Sequence, residues 1–146
     1  MASLPDVKAA FIQRLEASPT VVAQTTRIAG ALRKSWGATP GKAIVMRLNG
    51  SPGIERWYEV GMFSSRLDVE FYGASPDQAY DLWLNVHPII CPGQGNAEVH
   101  GFIQGQCRVA WVELESGPFE LIDTDVTNLP FTQVSYVAVW AGIPVS

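Results

Sequence analysis

Residues 66–88, RLDVEFYGASPDQAYDLWLNVHP, read as a strand feeding a helix. Leu67, Val69 and Phe71 alternate with Arg66, Asp68, Glu70 and Tyr72, the period-two pattern of a strand with one buried face and one wet face. The turn after it is marked residue by residue. Gly73 can leave strand geometry, Ser75 can accept a hydrogen bond as N-cap, Pro76 fits the first helical position, and Asp77 and Gln78 suit N2 and N3 of a capping box. A helix therefore starts at Ser75, with Ala79, Leu82, Trp83 and Val86 as its apolar stripe and Asp77, Asp81 and Asn85 outside. Pro88 is expected to end it. A strand and helix joined in this way predict a helix laid on a sheet, and they carry no chemistry of their own.

The rest of the composition fits around such a unit. With 146 residues, 47% of them apolar, the chain suits one domain spanning residues 1–146 with a single core. Five Trp and six Phe exceed ordinary need and leave aromatic surface for contacts between molecules. No apolar run reaches the length of a membrane span, and MASLPDVKAAF lacks the basic start and apolar centre of a signal peptide, so cytosolic synthesis without a membrane partner is expected. Cys91 and Cys107 are expected to be free thiols in a reducing compartment, in preference to a disulfide or a metal pair.

Charge is unevenly spread. Up to Arg66 nine basic residues stand against four acidic ones, a balance of +5, whereas beyond it Arg108 alone faces ten acids, a balance of −9. Two solvated faces of opposite sign would account for this. So would a head-to-tail assembly in which one face of a subunit meets the opposite face of its neighbour.

Taken in order, residues 3–17 predict a first helix, with Ser3 and Asp6 offering caps, Pro5 in the first turn, and Val7, Ala10, Phe11 and Leu15 as its stripe. Pro19 stops it. Residues 20–42 mix helical spacing with Gly30 and are expected to be irregular. TPGK (39–42) is a turn, and AIVMRL (43–48) a strand with Ile44, Met46 and Leu48 on one side and Arg47 on the other. NGSPG (49–53) opens an excursion over Ile54–Phe63 carrying Trp57 and Tyr58, which can project as an arm or fold back on the sheet. A second loop runs from Cys91 to Gly101. QCRVAWVELE (106–115) and TQVSYVAVW (132–140) read as strands, separated by SGPFELIDTDVTNLP, a segment too long for a tight hairpin and too polar for the core. These elements predict an α+β fold, a mainly antiparallel four-stranded sheet with two principal helices on one face.

Motifs that suggest catalysis fail in detail. GATPGKA (37–43) has three residues between its glycines where a phosphate loop needs four, and Ala43 stands where a hydroxyl should be. NGSPG lacks the first glycine of a nucleophile elbow. His87 and His100 are better read as structural or surface residues than as a catalytic pair. Asp123, Asp125 and Thr127 begin like a calcium loop, yet Asn128 and Val134 occupy the positions of its Gly and Glu. No enzyme, cofactor or metal function is expected. The scattered lysines of an acidic chain also argue against sequence-specific nucleic-acid binding.

The early helix DVKAAFIQRL, the strand AIVMRLNG with its glycine-rich excursion, RLDVEFYGASPDQAYDLWLNV and the closing strand QVSYVAVW together resemble the tail terminator and tail completion proteins of long-tailed bacteriophages. The resemblance covers roughly residues 5–141 and departs from the family pattern over 20–42. It implies a structural virion protein, assembled in the host cytoplasm into a homo-oligomeric ring of six. That ring would sit on the head-proximal end of the tail tube, stop tube growth and join the tail to a head-closure protein, with genomic DNA passing through. Within that reading, Arg47, Arg56, Trp57 and Tyr58 form one side of the subunit or tube interface and Glu113, Glu115, Asp123 and Asp125 the other. Another neck or tube-like ring protein, or a small cytosolic ligand-binding domain or enzyme with a pocket beside Trp83 and His87, are the alternatives.

Overall fold

The computed structural model describes residues 6–31, 33, 36, 41–49, 63–92, 101–123 and 129–142. Three helices, α1 (Val7–Ala17), α2 (Pro19–Gln24) and α3 (Pro76–Ile90), accompany six strands, β1 (Ile28–Ala29), β2 (Ala43–Leu48), β3 (Phe63–Tyr72), β4 (Phe102–Gln104), β5 (Cys107–Asp123) and β6 (Leu129–Gly142). The strands form one sheet in the order β1-β2-β3-β6-β5-β4. Every neighbouring pair is antiparallel except β1 with β2. The α+β class is as expected, but two helices and four strands are too few.

The β3–α3 unit follows its pattern except at Tyr72, expected to be wet but buried against Ala43, Val45 and Leu129, and at Pro88. Leu67, Val69 and Phe71 are wholly buried. Ser75 Oγ accepts from Gln78 N at 3.2 Å, and the Gln78 side chain turns back to accept from Ala74 N at 2.6 Å, so the capping box closes on the residue before the cap. Gly73 is required by proximity: a Cβ there would lie 2.6 Å from Ala79 N. Ala79, Leu82, Trp83 and Val86 all face inward, as do His87 and Ile90 one turn later. Pro88 does not end the helix. It sits inside the last turn, and Cys91 N closes that turn on His87 O at 2.8 Å, because a proline near a C-terminus forfeits only one hydrogen bond.

The apolar stripes of α1 and α3 and the inner face of the sheet make one core, from Phe11 and Leu15 through Ile44, Met46 and Val69 to Val134, Tyr136 and Trp140. α1 begins at Val7 with Asp6 as its cap, the carboxylate accepting from Ala9 N at 3.0 Å, while Ser3 and Pro5 lie outside the described residues. Arg14 ties α1 to its neighbours, donating to Ile89 O at 2.8 Å with its guanidinium 4.1 Å from the Phe102 ring. The segment expected to be irregular contains α2, with Pro19 at its first turn, and β1, held where Ile44 N donates to Arg27 O at 2.8 Å. In β2, Leu48 is 46% exposed instead of buried, while Ala43 and Val45 on the opposite face pack with Tyr72 and Leu129.

The largest departure is SGPFELIDTDVTNLP. Residues 116–123 continue β5, and Leu129–Phe131 begin β6, so the two form a long hairpin paired from Cys107↔Gly142 to Asp123↔Leu129. The register shifts between Val109 and Trp111, between Leu114 and Ser116, and between Ser116 and Phe119, and the last of these absorbs the Gly117–Pro118 interruption, whose peptide bond is cis. Gly117 has φ +99, and a Cβ on it would lie 2.6 Å from Gln133 O, so the strand continues only with glycine there.

Candidate assembly surface

One face of the sheet lies under the helices; the other is open along part of its length, with Ala43, Val45, Tyr72 and Leu129 buried together on it. Facing away from the helices, Arg47 Nη1 donates to Glu70 Oε1 at 2.9 Å, and the Tyr72 hydroxyl donates to the other oxygen of the same carboxylate. Asp68 accepts from Asn49 Nδ2 at 2.7 Å and from Ser135 Oγ at 2.6 Å. Arg66 Nε lies 3.0 Å from Glu115 Oε2, an ion pair outside hydrogen-bond geometry. The polar half of β3, which the alternation placed in water, is thus a row of charges already partnered across β2, β6 and β5.

This arrangement divides the expected interface residues. Arg47 and Glu115 share the open face but each has a partner in its own chain, Glu70 and Arg66. Glu113 is exposed on the same strand as Glu115, and Asp123 ends β5. Arg56, Trp57, Tyr58 and Asp125 lie outside the described residues, as do His100 and most of the NGSPG and GATPGKA segments.

A second set of residues was hidden in the segment read as loop. Along the far half of β5, Phe119, Leu121 and Ile122 are 53%, 42% and 59% exposed, with Glu120 between them. The alternation Phe119, Glu120, Leu121 was a strand signal, but Gly117 and Pro118 immediately before it outweighed it.

The fold has a solved counterpart. It superposes on a chain from the virion of a native gene transfer agent (GTA) particle with a TM-score of 0.66 and 13% identity, over 93% of this chain and 95% of that one. No family model matches the chain, and no curated protein matches it. At that identity the likeness establishes a shared fold.

Trp83 and His87 are buried where α3 meets β6. Trp83 Nε1 donates to Tyr136 Oη at 3.0 Å, and His87 Nδ1 lies 2.8 Å from the same oxygen, with the His87 and Tyr136 rings stacked at 5.7 Å. Since the indole takes one lone pair, the phenol proton is well placed to go to a neutral His87. Burial pushes the Tyr136 phenol far above its ordinary range, the Trp83 hydrogen bond only partly opposing it. Trp83, His87 and Tyr136 thus form a buried hydrogen-bonded joint between α3 and β6. Cys91 and Cys107 are buried free thiols, Cys91 donating to Val112 O at 3.0 Å. Burial, then the charge of Asp6, pushes the Cys107 thiol up to about 11, which keeps it protonated and unreactive near neutral pH. Among the described residues no group of three or more acidic, His or Cys side chains is placed to hold a metal, and no helix is long and apolar enough to cross a membrane.

Proposed function

We propose that the chain is a structural protein of a phage-like virion, and within it the ring subunit that terminates the tail tube at its head-proximal end and offers the joining surface to a head-closure protein. The observation that carries the virion role is a fold shared, over nearly the whole of both chains, with a component of a gene transfer agent particle. The terminator role rests on the family resemblance of residues 5–141. A six-membered ring is consistent with the charge split, because a closed ring needs two different complementary edges on each subunit. Arg47, Arg56, Trp57 and Tyr58 on one edge would meet Glu113, Glu115, Asp123 and Asp125 on the next. In this reading the protein works by geometry, without catalysis or cofactor, in the virion and in the host cytoplasm during assembly.

Electron microscopy of the purified protein, alone and with isolated tail tubes, tests the proposal directly. Rings that cap one end of the tubes are expected, and deletion of the gene should leave filled heads unjoined to tails of uncontrolled length. Normal tails on filled heads after deletion, or a protein that stays monomeric with tubes present, would overturn it.

A further inference from the structure

The apolar stripe of α1 is spent on the core, but a neighbouring face of the same helix borders a notch of about 220 Å³. Asp6, Ala9 and Gln13, at i, i+3 and i+7, stand on one side of it, and Gln104, Gln106 and Cys107 of the β4–β5 turn on the other. Sites for drug-sized ligands run to about 300–1,000 Å³, so this one has room for a single short group. Its polar lining is unsatisfied. The Asp6 carboxylate accepts from Ala9 N through Oδ1 as the helix cap, which leaves Oδ2 without a partner. The side chains of Gln13, Gln104 and Gln106 make no hydrogen bond among the described residues. Cys107, 1% exposed, forms the floor, and its thiol, unlike that of Cys91, has no hydrogen-bond partner among them either. Beyond burial, it is the charge of Asp6 that raises the Cys107 thiol, which places the carboxylate beside that floor.

Charge selects the ligand. Asp6 is the one charged residue on the lining, and the basic residues of α1 are engaged elsewhere. Lys8 rests its ammonium against Gly30, where a Cβ would lie 3.2 Å from Nζ, and Arg14 is committed to Ile89 O and the Phe102 ring. The positive end of α1, equivalent to about half a charge, offsets the carboxylate only in part. A free carboxylate oxygen beside three carboxamides offers acceptors to a group that carries several N–H donors and a positive charge. A guanidinium or ammonium on a short alkyl stem supplies both, with the stem against Ala9 and Cys107. We propose that the notch between α1 and the β4–β5 turn binds one alkylguanidinium or alkylammonium group, held by Asp6 and by the amides of Gln13, Gln104 and Gln106. A basic side chain of a neighbouring protein and a free diamine both carry that group. The site uses none of the residues assigned to the ring contact and does not depend on it.

Nuclear magnetic resonance titration of the full chain with ethylguanidinium, against ethylurea as its neutral counterpart, tests the site. The amides of Ala9, Gln13 and residues 104–107 should shift and saturate with millimolar ethylguanidinium, whereas ethylurea should bind about tenfold or more weakly, because it makes no hydrogen bond reinforced by charge. Added salt should weaken the first, since Asp6 is exposed. Asp6→Asn keeps a capping oxygen and should cost the same tenfold, and Ala9→Leu, which fills the notch from the helix, should abolish saturation while the core resonances stay in place. Protein bound to tail tubes or to further copies that no longer takes up ethylguanidinium would assign the group to a neighbour's basic side chain; uptake unaltered by assembly would assign it to a free cation. Shifts that rise linearly without saturating, that ethylurea reproduces, or that survive Asp6→Asn unchanged would overturn the site.

Discussion

The β3–α3 unit and the far half of the β5–β6 hairpin are both built from alternating strands, yet they spend their apolar side chains in opposite ways. Leu67, Val69 and Phe71 disappear under Leu82, Trp83 and Val86. Phe119, Leu121 and Ile122 repeat similar chemistry in solvent. Burial holds the first region together inside one chain, whereas the second gains little from its apolar groups until something covers them. The contrast separates residues that serve folding from residues available for assembly, and it can be tested by substitution.

The largest effect should come from Leu82, which is fully buried at the centre of the α3 stripe. Leu82→Ala should destabilise the isolated chain by about 2–5 kcal/mol, lost burial plus residual cavity, whereas Asp81→Ala on the exposed side of the same helix should do little. Chemical denaturation reads both, and equal losses would mean that the helix does not bury the face its spacing indicates. Next is the polar joint beneath the helix. Tyr136→Phe removes the oxygen that both Trp83 Nε1 and His87 Nδ1 face, stranding two buried groups at a cost of about 1–3 kcal/mol. A variant as stable as the wild type would show that water reaches the joint and that the interior is less closed than its geometry indicates.

Much of the first region was legible because its signals were local and mutually consistent. The alternation of β3, the Ser75 cap and the spacing Ala79, Leu82, Trp83, Val86 all pointed to one geometry, and the α1 stripe did the same. The hairpin was not legible past Glu115. There a Gly-Pro pair signals a turn on local grounds, and only the ladder to β6, with a bulge to absorb the one extra residue, carries the strand through. Short elements were lost for a related reason: β1 and β4 are two and three residues long and exist because a neighbouring strand supplies their hydrogen bonds. On the candidate surface, the charges could be read from sequence but not their pairings, since Arg47 with Glu70 and Arg66 with Glu115 meet across strands.

A smaller effect belongs to the start of α3. Ser75→Ala removes the acceptor for Gln78 N at an exposed helix end and should cost about 1 kcal/mol. A change much below that would imply that the Gln78 side chain, bonded to Ala74 N, organises the turn by itself. Restoring the cap with Ser75→Asp should recover most of the loss, with a carboxylate also favoured at a helix N-terminus.

The smallest effect on folding should be that of Phe119→Ser, and it bears most directly on the contrast. Phe119 is 53% exposed and stands opposite Gln133 on β6, so truncating it opens no cavity and strands no buried polar group. Its effect on the stability of the isolated chain should fall within about 0.5 kcal/mol, the usual range of a surface change, because the backbone ladder to β6 is untouched. The same substitution should weaken self-association, since an aromatic side chain covered in an assembly contributes apolar area that it cannot contribute in the monomer. Sedimentation of the variant against the wild type at matched concentrations measures the second effect, and a denaturant midpoint measures the first. Were Phe119→Ser to destabilise the monomer as severely as Leu82→Ala, the hairpin would have to be counted with the core. Were it to alter neither stability nor association, the exposed apolar residues of β5 would need some other reason to be where they are.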